Sequence, residues 1–308
     1  MLASALTACA SSGGSGNRRP KATPSVSAAP ATARLRACAT TTQIQDFVRN
    51  VGGDQVEVLS ILKPNVDPHD FEPTVATAID VAQAEIIFVH GIGLDRWMDK
   101  VIQNAKTTAP VVVTTTGVQL LAKGGRPVKP GEPGDPHVWF DPERAKQMVE
   151  NIRQGLSRVD PAGAATYQKN ALRYRQAIDA MDRQATAIYG RVPVADRKLV
   201  TNHDAFAYLA QHFHLTVVGA VIPSLDDTAE PTAKQINALI DEIDRAKVKA
   251  IFAEASANPV VARQVAFDTG VKIVDNLYGD TLGPPGSDGD TYIKMMLADA
   301  NLITGALV

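Results

Sequence analysis

The sequence predicts an α/β protein of two similar lobes with mostly parallel sheets, joined by one long helix. Three observations carry that prediction. Short apolar runs of strand length alternate with stretches of helical periodicity along most of the chain. The length of 308 residues exceeds one ordinary domain. A helical stretch with mixed charges, Pro161 to Tyr189, lies near the middle and is long enough to act as a connecting rod.

The elements follow in order. Cys38 begins a strand and is expected as a buried, inert thiol. Val56 to Leu62 is the next strand. Thr74 to Ala82 reads as a short helix opened by Pro73. Ile86–Val89 is a buried strand, Leu94 to Asn104 is amphipathic, and Val111–Val113 is a strand. A Gly/Pro-rich loop over Lys123 to Asp135 precedes a helix from Pro142 to Val159. In the connecting helix Tyr167, Leu172, Ile178 and Met181 form the expected apolar stripe.

The second half repeats the scheme. Strands are expected at Lys198–Thr201, Thr216–Ile222, Ala250–Ala253 and Val271–Val274. Helices are expected at Ala205–His214, after Glu230-Pro231-Thr232 to Ala246, at Pro259–Thr269 and at Asp290–Thr304. Glu72-Pro73-Thr74 and Glu230-Pro231-Thr232 match, one in each half. The chain thus divides into a leading segment over 1–34, a first lobe over 35–160, the connecting helix over 161–190 and a second lobe over 191–308.

The leading segment has its own chemistry. Leu6-Thr7-Ala8-Cys9 reads as a lipobox, which places a lipid on Cys9. The Gly/Ser- and Pro/Ala/Thr-rich stretch that follows cannot bury enough apolar surface to fold and suits a flexible tether. The segment before Cys9 has no basic residue and a very short apolar core, unlike an ordinary export signal, so the start of translation is expected upstream of Met1. The expected location is therefore extracytoplasmic, anchored to a membrane through Cys9.

Composition excludes other classes. A formal charge of −2 argues against a nucleic-acid binder. No apolar stretch reaches the ~18–20 residues of a membrane-spanning helix. Two cysteines are too few for a disulfide framework.

The most specific signal is a repeated tripeptide. Asp67-Pro68-His69 and Asp135-Pro136-His137 account for two of only six histidines. Each is followed closely by an aromatic, an acid and a second proline. Imidazole is the commonest metal ligand among side chains, so the pair points to a metal site. Parallel sheets bind ligands beyond the carboxyl ends of their strands. His69 and His203 follow strands, Asp280 follows the last strand, and His137 opens the helix after the intervening loop. Three imidazoles and one carboxylate make a four-coordinate shell suited to Zn²⁺, with bonds of ~2.0–2.2 Å.

Asp67 and Asp135 are expected to accept loop amides. Glu72, Asp204, Glu254 and His90 are candidates to orient the ligands. Trp97 and Trp139 read as packing residues, and His212 and His214 as helix-end surface residues. Ligands of this kind should lose affinity as pH falls through ~6.5. A zinc-dependent hydrolase is the alternative, with Glu72 or Glu254 as its base. Four good ligands leave such an enzyme no open position for water.

The chain resembles the zinc/manganese solute-binding proteins of bacterial ABC importers, the cluster 9 or TroA-like family, from about Leu35 onward. The carriers are Gly52-Gly53-Asp54, Pro68 to Pro73, Gly91 to Trp97, Asp135 to Trp139, Asn202 to Phe206, Glu230-Pro231-Thr232, Phe252-Ala253-Glu254 and Leu277 to Leu282. The resemblance implies one ion per chain, held in the cleft between the lobes by His69, His137, His203 and Asp280. It implies a monomer without enzymatic activity that delivers its ion to an ABC permease. Family members often carry asparagine where His90 stands. The loop before Asp135 lacks the histidines of many zinc-specific members, and manganese-preferring members tend to have glutamate where His203 stands. The third imidazole favours Zn²⁺, with Mn²⁺ as the alternative.

Overall fold

A computed structural model describes Ala10, residues 34–226 and residues 228–308. The expected lipidation site Cys9 and the tether that follows it lie outside the described residues.

The first half contains β1 (Leu35–Ala39), α1 (Thr42–Gly52), β2 (Val56–Ser60), α2 (Val75–Gln83), β3 (Ile86–Val89), α3 (Trp97–Ala105), β4 (Val111–Val113) and α4 (Pro142–Val159). The long helix α5 spans Ala164–Tyr189. After it come β5 (Lys198–His203), α6 (Ala207–Phe213), β6 (Thr216–Ile222), α7 (Ala233–Ala246), β7 (Ala250–Glu254), α8 (Val260–Thr269), β8 (Lys272–Leu277) and α9 (Tyr292–Leu307).

Each half forms a four-stranded sheet, ordered β2-β1-β3-β4 and β6-β5-β7-β8, and every pairing is parallel. The two orders are the same when renumbered, so the likeness expected from the matching Glu-Pro-Thr motifs extends to topology.

Side-chain alternation explains the layers. In the first sheet Ala37, Ala39, Ile86 and Phe88 face a large central core, while Cys38 and Ile87 face a smaller one with Val81, Met98 and Val101 from α2 and α3. In the second, Leu199, Ala250 and Phe252 face the central core, and Val200, Ile251 and Ala253 face α7 and α8. Both faces of each sheet are covered at its central strands, which is why those strands read as unbroken apolar runs, while Val111 and Val113 of the edge strand β4 are exposed. The central core also takes Phe47, Tyr174, Ile178, Tyr292 and Met295 from α1, α5 and α9, so one apolar body runs between the sheets.

Cys38 is buried as expected, and burial pushes its thiol up to about 12. Two expectations need correction. Leu172 is 53% exposed; the buried stripe of α5 is Tyr167, Ala171, Tyr174, Ile178, Met181, Ala185 and Tyr189. Spacings of three and four keep those seven on one face, and Leu172 falls off it. The helix α1, absent from the sequence reading, was written in Ile44, Phe47, Val48 and Val51, all fully buried. Its polar composition masked that spacing. Thr41 caps it by accepting the Ile44 N–H at 3.3 Å.

Helix α1 is locked to the other half through Asp46. That buried carboxylate accepts the Tyr174 hydroxyl at 2.6 Å and the Tyr292 N–H at 3.2 Å. Asp46→Ala leaves two buried donors without an acceptor and should cost about 2–4 kcal/mol. Urea unfolding midpoints check this, and an unchanged midpoint would show the node to be dispensable.

Candidate metal centre

Both Asp-Pro-His loops are built alike. Asp67 Oδ1 accepts the His69 N–H at 2.7 Å, and Asp135 Oδ1 accepts the His137 N–H at 2.9 Å. The intervening proline has no N–H to compete for the carboxylate. His203 is the last residue of β5, and Asp280 lies three residues beyond β8. All four side chains therefore reach out from the carboxyl ends of parallel strands or from loops beside them.

They converge. One ligand atom from each of His69, His137, His203 and Asp280 falls in a group whose members all lie within 4.8 Å of one another. The Nε2 atoms of His137 and His203 are 3.2 Å apart. Asp280 Oδ1 lies 3.3 Å from His137 Nε2, and Oδ2 lies 3.4 Å from both His69 Nε2 and His203 Nε2. Tetrahedral coordination with bonds of ~2.0–2.2 Å places ligand atoms ~3.3–3.6 Å apart. His69 is the least enclosed of the four, at 7% side-chain exposure.

Carboxylates back two of the rings. His137 Nδ1 bonds Asp135 Oδ1 at 2.7 Å, and His203 Nδ1 lies 2.7 Å from Glu254 Oε1. Each fixes a ring so that Nε2 points into the cluster. Gly279 sits directly against Glu254, and a Cβ there would overlap Glu254 Oε2.

The charges follow from this geometry. Burial favours neutral imidazole, but Asp280 and Asp135 hold His137 well above its ordinary value. At His203 burial also lowers the pKa, yet Glu254 and Asp280 raise it to about 9. Burial likewise disfavours the Asp280 carboxylate, and His203 and His137 overcome it to hold Asp280 well below the carboxylate range.

His90 is brought near without joining the group. Its Nε2 bonds the Pro136 carbonyl at 2.7 Å, so it braces the peptide before His137 rather than a ring. Burial pulls its pKa down to about 4. Two other candidates are corrected. Glu72 is exposed and takes no part in the cluster. Asp204 is buried beside Lys123, Gly124 and Asp135, and bonds no imidazole. Being next to a ligand in sequence turned its side chain toward the Lys123 loop instead. Glu254 alone has the orienting contact expected of it.

Three contributors escaped sequence reading. Asp135 takes its imidazole as well as the expected amide. Trp97 Nε1 donates to the Pro68 carbonyl at 2.9 Å, so this packing residue also holds the His69 loop. Tyr208 of α6 accepts the Leu121 N–H and donates to the Asp135 carbonyl at 2.8 Å. Only the Asp135 contact had a sequence signal, its place two residues before His137. His212 is half-buried on Asp182 at 2.8 Å, which makes it less exposed than a surface histidine.

Two lobes of parallel sheet, with three imidazoles and a carboxylate meeting between them, define a two-lobed ion-binding receptor. The family described as "ZnuA: Zinc-uptake complex component A periplasmic" matches residues 38–306, and the chain belongs to it. The manganese ABC transporter substrate-binding lipoprotein PsaA of Streptococcus mitis is 29% identical over 280 residues, covering 89% of each chain. The iron-binding protein YfeA of Yersinia pestis is 32% identical over 266 residues, covering 85% of this chain and 83% of YfeA. The periplasmic zinc-binding protein TroA of Treponema pallidum superposes with a TM-score of 0.81 at 25% identity, covering 90% of this chain and 100% of TroA.

The pKa pattern gives a test. The folded pKa of His203 lies above its ordinary 6.5, so its stabilising contribution is complete below pH 6.5 and is lost as pH rises through about 9. Glu254→Gln should lower the His203 pKa below about 9 and flatten that alkaline loss in the ion-free protein. Gly279→Ala should act the same way by displacing Glu254. Ring-proton NMR titration and urea midpoints read both effects, and an unmoved His203 pKa would contradict the contact.

Proposed function

We propose that this chain is the metal receptor of an ABC importer, capturing one Zn²⁺ through His69, His137, His203 and Asp280 and passing it to a membrane permease. The observation that carries this is the convergence of four buried ligand atoms, with closest separations of 3.2–3.4 Å. The printed names of the relatives include manganese, iron and zinc, so the choice of ion rests on the donor set. Three imidazoles favour later divalent metals, which makes Zn²⁺ the cargo and Mn²⁺ the alternative.

The first lobe over 35–160 supplies two ligands and the second over 191–308 supplies two, with 161–190 as the rod between them. Each chain works as a monomer outside the cytoplasm, held to the membrane by a lipid on Cys9. The description of PsaA as a lipoprotein supports that anchor. No described helix is long and apolar enough to cross a membrane. The zinc-hydrolase alternative loses both its imagined bases. Glu72 lies exposed away from the cluster, and Glu254 sits behind His203.

The charges refine the expected pH dependence. In the ion-free protein the neighbouring carboxylates raise the pKa of both His137 and His203 above the ordinary imidazole value, so an incoming ion competes with protons for the site. Affinity should still be rising between pH 7 and about 9, above the range an ordinary imidazole would set. Calorimetric titration in buffers of different ionisation enthalpy should give one Zn²⁺ per chain with protons released on binding. No stoichiometric uptake of Zn²⁺ or Mn²⁺ would overturn the function, and uptake without proton release would overturn the charge assignment.

A further inference from the structure

The loop carrying Asp280 belongs to the second sheet but is gripped by the first residues of α1. The Leu282 N–H donates to Thr42 Oγ1 at 2.8 Å. The Thr42 hydroxyl donates to Gln43 Oε1 at 3.2 Å, and Gln43 Nε2 reaches the Gly279 carbonyl at 3.4 Å. Thr42 is 4% exposed and Gln43 fully buried. These bonds run in one direction and close a ring over residues 279–282. Aligned hydrogen bonds of this kind polarise one another.

Neither side chain is needed by its own helix. Thr41 already caps α1 by accepting the Ile44 N–H through its hydroxyl. A buried glutamine must also find partners for its amide, and this one takes the neighbouring Thr42 hydroxyl on its oxygen and a carbonyl 236 positions away on its nitrogen. The ring brackets Asp280 from both sides, with Gly279 and Leu282 as its ends. A third bond from the first half to this loop, from the Asn65 N–H to Thr281 Oγ1 at 3.1 Å, fastens the middle.

We propose that Thr42 and Gln43 are positioning residues for Asp280, a clip on the first lobe that holds the second lobe's carboxylate ligand in place and slows ion release. Three ligands thereby stay registered to the first lobe: His69 and His137 by chain, and Asp280 by the clip. The inference rests on the metal-receptor reading. The clip contacts no ion itself and acts only through Asp280.

The test uses Zn²⁺ and the full chain, with dissociation followed by capture on a chromophoric chelator. Thr42→Val keeps the shape and removes both bonds of the hydroxyl. It should weaken Zn²⁺ binding about tenfold or more, mainly through faster release. Thr42→Ser restores the hydroxyl and should stay close to wild type. The decisive comparison is a double-mutant cycle, in which Thr42→Val should cost nothing further once Asp280→Ala is present. Equal costs in both backgrounds, or Thr42→Ser as weak as Thr42→Val, would overturn the clip. If Thr42→Val does not fold, Gln43→Met carries the same cycle with the same expected pattern. Failure of the wild-type chain to bind Zn²⁺ or Mn²⁺ would overturn the metal reading instead.

Discussion

Lone pairs that face one another inside a protein need positive charge between them, and the rest of this molecule is arranged around that requirement. His137 and His203 turn their Nε2 atoms toward each other at 3.2 Å in a fully buried setting, with the Asp280 carboxylate alongside. A proton shared between the rings can meet the need, and the carboxylates that raise the pKa of both favour it in the ion-free chain. A divalent ion meets it better, because one charge at the centre reaches all four ligands. Asp135 and Glu254 sharpen the demand by fixing each ring from behind.

The fold delivers the ligands by a division of labour. Parallel strands end together, so their carboxyl ends present loops to one region. The apolar body shared by α1, α5, α9 and both sheets ties the halves together beneath the site. Each half also holds a loop of the other. Tyr208 from the second half grips the Asp135 carbonyl, and Thr42 from the first grips Leu282. The cleft is thus crossed by hydrogen bonds on either side of the ligand group, and His69 is left as its least enclosed member.

Much of this was legible in the chain because its signals are local. Strands of parallel sheets give apolar runs, and β3, β4 and β6 stand at the expected residues. Asp-Pro-His encodes its own turn within three residues, so its repetition revealed half the site before any fold was known. What stayed hidden depends on distance. Tyr208, Trp97, Thr42 and Gln43 act through partners 29 or more positions away, and nothing beside them in sequence marks that role. Glu72 and Asp204 misled for the converse reason. They stand beside ligands in the chain, but their backbones turn the carboxylates elsewhere. Helix α1 is hard to read because Gln45, Asp46, Arg49 and Asn50 fill the positions between its four buried apolar residues.

The most direct measurement is a crystal structure of the zinc-soaked chain with anomalous scattering recorded at the zinc edge. The geometry predicts one strong peak between the lobes, ~2.0–2.2 Å from His69 Nε2, His137 Nε2, His203 Nε2 and an Asp280 oxygen. A peak elsewhere on the molecule, or a central ion with His203 or Asp280 outside bonding distance, would contradict it.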